Sequence, residues 1–338
     1  MRIRRMDNLK ILITGGAGFI GSNFTGLMLK KYPKYKITVF DALTYASNPD
    51  TIIEFKKYPN FSFIKGDIRD IAAVDKAVSG KDAVVHFAAE SHVDRSILDP
   101  GIFVDTNVRG TMNMLEAAKN HSIKKFIHIS TDEVYGSVKK GKSVETDMLE
   151  PTSPYAASKT SSDLIALAYF KTFNLPVIVT RSSNNFGPYQ HPEKFIPLFI
   201  TNAIEGKDLP LYGDGKQVRN WIYVEDNCAA IETVFRKGKP GEVYNVGGNV
   251  EEPNILVAGT IIKQLKKPAS IMKFVKDRLA HDRRYALSSA KIKKLGWKPK
   301  YTFTEALKLT INWYVINKNW WSALKGKAFK DYFKKAYK

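Results

Sequence analysis

The sequence predicts an α/β fold, a Rossmann-type doubly wound parallel sheet followed by a smaller C-terminal α+β domain. Three observations carry this prediction. Six short apolar runs in the first half are separated by segments of helical length and period, and strands apolar on both faces and spaced by helices form a parallel sheet covered on both sides. A glycine-rich turn follows the first run. After Arg181 the alternation fades and Pro and Gly turns take over, at Gly187-Pro188, Gly213-Asp214-Gly215 and Gly247-Gly248. The 338 residues, 44% hydrophobic and 25% charged, are enough for two domains with a sizeable core.

The strands are expected at Leu9–Thr14, Lys36–Asp41, Phe61–Lys65, Ala83–Ala88, Lys125–Ser130 and Pro176–Arg181, with helices at Gly101–Asn120 and Ser153–Phe173 among the intervening segments. The first strand runs into Gly15-Gly16-Ala17-Gly18-Phe19-Ile20-Gly21 and then a helical pattern. Glycines at 15, 18 and 21 permit a tight turn, close approach of backbone to a pyrophosphate, and close packing of helix on strand. The helix N-terminus then faces the negative charge. Asp41 ends the next strand, placed to accept hydrogen bonds from ribose hydroxyls and to repel a 2′-phosphate. No Arg or Lys occurs in Ala42-Leu43-Thr44-Tyr45, which favours NAD over NADP.

Tyr155 and Lys159 have the spacing of a phenol base beside an ammonium, but four other Tyr-x-x-x-Lys pairs occur in the chain. Context selects this one. Ser153-Pro154 reads as an N-cap followed by proline at the first helical position. Tyr155 then lies in the first turn with Lys159 one turn later on the same face, where helix end and lysine would both lower the tyrosine pKa. Ser130-Thr131-Asp132-Glu133 follows the fifth strand, and two readings stand. Ser130 and Glu133 have the spacing of a capping box; alternatively Asp132 and Glu133 are a paired acid and base where ligands sit in open α/β sheets. Capping leaves Asp132 without a partner. If both carboxyls serve one substrate, the chain must already be turning there, since neighbours in a strand face opposite ways.

Composition excludes several classes. There is no run of about 18 apolar residues, so no membrane span is expected. MRIRRMDNLK is basic but leads straight into a strand without the apolar region of a signal peptide. The single cysteine, Cys228, excludes an internal disulfide and fits a reducing, cytoplasmic setting. Six histidines without metal-ligand spacing predict no metal. The net charge of +20 is spread along the chain as a solvated lysine surface, so no nucleic-acid partner is expected; the densest part, 325–338, reads as a peripheral amphipathic helix.

Taken together, these segments resemble the extended short-chain dehydrogenase/reductase superfamily and, within it, the dTDP-glucose 4,6-dehydratases, from about Leu9 to Trp321. The resemblance is carried by TGGAGFIGSN, DALTYASN, GDIRD, HFAAESHVDRSI, TNVRGT, HISTDEVYGS, SPYAASK, TRSSNNFGPYQHPEKFIPL, LYGDGKQVRNWIYVED and DRLAHDRRY. It implies an NAD-binding domain over 1–181, rejoined by about 221–248, and a nucleotide-sugar domain over 182–338. It also implies a reaction that borrows NAD and returns it. Tyr155, with Lys159 and Thr131, takes the 4-hydroxyl proton of dTDP-glucose as hydride leaves C4; Glu133 removes the C5 proton; Asp132 protonates the departing 6-hydroxyl; hydride returns to C6. Such roles need neighbouring carboxyls in different protonation states.

The same resemblance implies that Gly15, Gly18, Phe19, Ile20, Gly21, Asp41, Thr44, Asp67, Ile68, Ala88, Thr106, Tyr155, Lys159 and Asn185 meet NAD. Asp67 and Ile68 would lie at the adenine and Asn185 near the nicotinamide. Substrate contacts match Ser91, Thr131, Asn184, Lys194, Phe195, Arg219, Asn254, Arg278 and His281, with both arginines suited to the pyrophosphate. Of the histidines only His281 gains a role; the others are expected in core or surface. Leu279-Ala280 departs from the Pro-Gly usual in that motif. A homodimer through helices matching Gly101–Asn120 and Ser153–Phe173 is implied as well. A UDP-glucose 4,6-dehydratase, an epimerase or decarboxylase of the same superfamily, and a non-catalytic NAD-binding protein are the alternatives. Thymidine over uridine rests on the resemblance alone.

Overall fold

A computed structural model of the chain describes residues 8–336; the basic stretch 1–7 and the tail residues Tyr337 and Lys338 lie outside them. The strands are β1 (Lys10–Thr14), β2 (Lys36–Asp41), β3 (Phe61–Lys65), β4 (Ala83–His86), β5 (Lys125–Thr131), β6 (Val177–Ser182), β7 (Asn184–Phe186), β8 (Leu209–Tyr212), β9 (Val218–Tyr223), β10 (Val243–Val246), β11 (Val250–Pro253) and β12 (Met272–Val275). Seven of them form one sheet in the order β10-β6-β5-β4-β1-β2-β3, with every neighbouring pair parallel. The expected Rossmann-type fold is therefore present. Its central strands are apolar on both faces because both are covered: Ile11, Leu12, Ile13, Val84 and Val85 are fully buried.

The order turns around at β1, which pairs β2 on one side and β4 on the other. A crevice opens at the carboxyl ends of strands at such a switch point. The chain leaves the sheet after β6 and builds a β11-β9-β7 sheet and a β12-β8 pair. Between β9 and β11 it returns through the helix Val224–Lys237 to lay β10 against β6.

Two helices flank the crevice. Pro154–Phe173 begins as anticipated, with Ser153 Oγ accepting from Ala156 N–H at 3.1 Å and proline in the first turn. The expected helix Gly101–Asn120 differs: α-helical turns at Pro100–Phe103 and Thr111–Asn120 enclose a π-helical stretch, Val104–Gly110. The wider turn carries the fully buried Asn107, whose side chain clasps Glu90 N–H (2.8 Å), Glu90 C=O (2.9 Å) and Ser158 Oγ (2.9 Å). A side chain aimed inward off the regular period leaves no 3.6-residue signature, and such bulges concentrate at functional sites.

The lysine-rich tail is only partly the solvated helix anticipated. A helix spans Lys327–Ala336, but Lys325 just before it is buried, its ammonium donating to Asn202 Oδ1 (2.8 Å) and Glu205 Oε2 (2.6 Å), and Phe329 is in the core. A buried ammonium persists because both acceptors lie on one neighbouring helix end.

Candidate active site

Two adjoining cavities occupy the crevice. The first, of about 250 Å³, is lined by Gly15, Gly18, Phe19, Ile20, Gly21, Asp41, Thr44, Asp67, Ile68, Ala88, Thr106, Tyr155 and Lys159 of the anticipated cofactor residues, and by Ser91. The strand–turn–helix geometry explains its shape. Gly15 has φ +67°, and a Cβ there would come within 2.6 Å of Ala88 N; a Cβ on Gly21 would come within 2.2 Å of Gly15 O. Only glycine lets these segments approach so closely. No side chain caps the following helix Phe19–Lys31, so its first N–H groups are left for a ligand. The Asp41 carboxylate is fixed at the cavity wall by Ala17 N–H (2.9 Å), Leu43 N–H (2.8 Å) and Ser47 Oγ (3.1 Å). Burial raises its pKa while these donors lower it. Asp67 is held by the Arg69 guanidinium at 2.7 Å, which keeps its carboxyl below the usual range. A cradle that admits no Cβ, beside an uncapped helix end and an anchored acid, fits a dinucleotide.

The second cavity, of about 160 Å³, is lined by Glu133, Asn184, Asn185, Lys194, Phe195, Arg219, Asn254, Arg278 and His281. Asn185, expected at the nicotinamide, thus lies on this side. Several buried polar atoms here have no partner among the described residues: Asn184 Oδ1, Asn185 Oδ1, Asn254 Oδ1 and Arg278 Nε. Buried polar groups left unmatched are costly unless a ligand completes them. Arg278 Nη1 meets Asp94 Oδ1 at 3.2 Å, and Tyr212 donates to the same carboxylate at 3.1 Å. Arg219 lies over the Tyr285 ring at 4.4 Å and donates to the Asp282 carbonyl at 3.0 Å. His281 is held at about 4 chiefly by burial and then by Arg278, so its ring is neutral.

Between the cavities the chain turns at once after β5: Asp132–Tyr135 is a 3₁₀ helix. Thr131, not Ser130, caps it, accepting from Glu133 N–H at 3.2 Å. Ser130 Oγ is buried with no partner among the described residues and borders the first cavity. The capping-box reading of Ser130 and Glu133 is thereby corrected, because the turn starts one residue later. Glu133 borders the second cavity, whereas Thr131 and Asp132 line neither; the Thr131 hydroxyl instead donates to Asp132 Oδ1 at 3.3 Å and acts to lower the Tyr155 phenol's pKa. Burial, and then the Glu133 charge, push Asp132 well above the usual carboxylate range. Glu133 is also raised by burial, but Arg278, Lys194 and Arg219 draw it back.

Tyr155 departs from expectation. Burial and then the Glu133 carboxylate hold its phenol above its ordinary value, although Thr131 counteracts them. Lys159 donates to the Ile129 carbonyl at 2.8 Å, and burial lowers its ammonium to about 8. Desolvation outweighs helix end and lysine at this depth.

Comparison with known proteins bears on which chemistry this arrangement serves. A family model described as GDP-mannose 4,6 dehydratase matches residues 12–310. The chain belongs to the GDP-mannose 4,6-dehydratase family. It is 48% identical to the low-salt glycan biosynthesis protein Agl12 of Haloferax volcanii, covering 91% of this chain and 99% of that one. It is 46% identical to a dTDP-glucose 4,6-dehydratase of Actinoplanes sp., covering 93% of this chain and 100% of the relative. Its structure superposes with a TM-score of 0.92 on DesIV, the dTDP-glucose 4,6-dehydratase of Streptomyces venezuelae crystallised with NAD and TYD bound, at 46% identity over 94% of this chain and 100% of that one.

As a member of this family the chain has site residues that sequence reasoning passed over. Gln190 and Glu193 border both cavities beside the expected Lys194, and His92 and His191, expected in core or surface, border one each. Arg95 meets Glu193 at 2.9 Å. Gln190, His191 and Glu193 sit in an irregular segment, where no periodicity marks an inward face; the Gly187-Pro188 turn before them was the available signal.

The Leu279-Ala280 departure is absorbed without losing its neighbours. Ala280 takes φ +48°, and Leu279 is 72% exposed. Left-handed backbone costs a non-glycine residue about 1–2 kcal/mol, offset in part by the looser unfolded chain that glycine brings. Ala280→Gly should therefore stabilise the fold by about 0.5 kcal/mol in urea melts. A loss of stability would show that Ala280 is unstrained.

Proposed function

We propose that this chain is a dTDP-glucose 4,6-dehydratase, using bound NAD to convert dTDP-glucose to dTDP-4-keto-6-deoxyglucose and water. The observation that carries the reading is the turn at Asp132–Tyr135, which sets Asp132, whose buried Oδ2 has no partner among the described residues, beside a Glu133 that opens on the second cavity. An epimerase needs neither a C5 base nor a C6 acid. The relatives and the DesIV structure support the substrate and cofactor assignments.

When bound in the first cavity, NAD would supply the hydride acceptor for C4 and the donor for C6. Tyr155 takes the 4-hydroxyl proton, aided by the Thr131 hydroxyl and by the Lys159 ammonium. Removing hydride from C4 leaves a ketone that acidifies the C5 proton. Glu133 takes that proton, its carboxylate kept available by Arg278, Lys194 and Arg219. Asp132, kept protonated by burial, gives its proton to the leaving 6-hydroxyl. Hydride given back at C6 would be matched by a proton delivered to C5 from Glu133, completing the 4-keto-6-deoxy sugar. Arg219 and Arg278 hold the pyrophosphate, with Asn184, Asn254, Phe195, Ser91 and His281 around the nucleotide and sugar.

Residues 1–181, rejoined by about 221–248, are the NAD-binding domain in this reading, and 182–338 the nucleotide-sugar domain; the pairing of β10 with β6 supports it. Val104, Met112, Leu164 and Phe173 are exposed apolar side chains on the two crevice helices and support a homodimer through them. No described helix is long and apolar enough to cross a membrane, and the lone buried thiol of Cys228 fits a cytoplasmic enzyme.

The test is incubation of the purified protein with dTDP-glucose and with UDP-glucose, products being identified by mass and NMR. Loss of water from dTDP-glucose, with deuterium from solvent at C5, is the expected result. Turnover of UDP-glucose alone, or inversion at C4 without loss of water, would replace the reading.

A further inference from the structure

We propose that Tyr189, packed in a three-ring cluster with Trp313 and Trp320, is a positioning residue that holds the segment Gln190–Lys194 in place between the two cavities. This deepens the proposed reaction and rests on it. Gln190, Glu193 and Lys194 border both cavities, yet they lie between β7 and the helix Phe195–Glu205, in neither strand nor helix. No backbone ladder fixes them. Something else must, because polar groups that orient a substrate lose effect when displaced by about 1 Å.

Arg95 holds Glu193 in the middle of the segment, and Tyr189 supplies a fixed point at its start. Its φ is +67°, a conformation that is an outlier for a bulky residue and persists only where surroundings over-determine it. The surroundings are aromatic. The Tyr189 ring lies 5.0 Å from Trp313 and 5.7 Å from Trp320, tilted and edge-on respectively, and the two indoles lie 5.0 Å from each other. Such rings gain more from these geometries than from burial alone. The Tyr189 hydroxyl donates to Glu54 Oε2 at 3.0 Å. The clamp continues into the next residue, since the buried Tyr314 hydroxyl donates to the Gln190 carbonyl. Trp313, Tyr314 and Trp320 all follow residue 310, where the family match ends. Chain beyond the matched region thus braces a segment inside it.

The groups assigned to proton transfer stand on other elements, Tyr155 and Lys159 on one helix and Glu133 after β5. Loosening the clamp should therefore weaken substrate binding more than it slows chemistry. The experiment compares Trp313→Leu/Trp320→Leu, Tyr189→Gly and Tyr189→Phe with the parent enzyme. Readouts are dTDP affinity by calorimetry, NAD retained per chain, and KM and kcat for dTDP-glucose. Tyr189→Gly accepts the backbone conformation but has no ring. It and the double variant should weaken dTDP binding and raise KM about tenfold, with kcat changed by less than about threefold. Tyr189→Phe keeps the ring and should bind dTDP within about twofold of the parent. If the double variant does not fold, the Tyr189 pair decides. Equal dTDP affinity in Tyr189→Gly and Tyr189→Phe overturns the proposal. A parent enzyme that binds dTDP but does not turn over dTDP-glucose refutes the reaction instead, and the binding comparison still judges the clamp.

Discussion

Glu133→Gln should leave an enzyme that oxidises its substrate and then stalls. Glutamine keeps the size of the side chain and cannot take a proton. Tyr155, Thr131 and Lys159 are untouched, so hydride still leaves C4 and reduced nicotinamide accumulates with the 4-keto sugar bound. Elimination then lacks its base, and turnover should fall about 10²- to 10⁴-fold. A second effect acts in the same direction. The Glu133 charge is one of the causes that hold the Asp132 carboxyl well above its usual range, so neutralising position 133 makes the proton on Asp132 easier to lose. Stopped-flow absorbance of reduced nicotinamide, followed by product analysis, checks both. Turnover within a few-fold of the parent enzyme would remove Glu133 from the mechanism.

Tyr155→Phe should fail one step earlier. Without the hydroxyl the group assigned to accept the 4-hydroxyl proton is gone, so neither reduced nicotinamide nor product forms at an appreciable rate and kcat drops by about 10²- to 10⁴-fold. Affinity for dTDP should stay near the parent value, since Tyr155 borders the first cavity and not the second. The pH dependence follows from Lys159, whose ammonium burial lowers to about 8. The cation that assists the phenol is present below that pH and lost above it. Parent kcat/KM should therefore fall on the alkaline side from about pH 8, and not from near the ordinary lysine value of 10.5. A profile flat to pH 10 would show that the charge on Lys159 is not needed. In Tyr155→Phe, turnover near the parent rate would mean that another group is the base.

How far the site was legible depended on the element carrying each residue. Gly15, Gly21 and Asp41 were readable because strand, turn and helix follow one another in sequence and local geometry dictates the residue type. Ser153-Pro154 announced the helix that carries Tyr155 and Lys159 for the same reason. Glu193 and Gln190 sit in an irregular segment without a period, and His92 and His191 looked like ordinary core. Asn107 was hidden by a π-helical turn that shifts it off the expected face. The sequence predicts a lowered tyrosine pKa, since it displays a helix end and a lysine, while burial, which raises it, is set by the tertiary structure. Lys325 was read as solvated for the same reason.

By itself, the sequence determined the parallel sheet, the glycine turn, the helix caps and the types of side chain available for proton transfer, since each depends on residues within one or two turns of each other. Tertiary structure alone decided which cavity Glu133 and Asn185 border, how burial separates Asp132 from Glu133, and how a C-terminal clamp more than one hundred residues away steadies Tyr189. The reason is physical. Backbone propensity is local, whereas desolvation and ring packing depend on whatever the rest of the chain brings alongside.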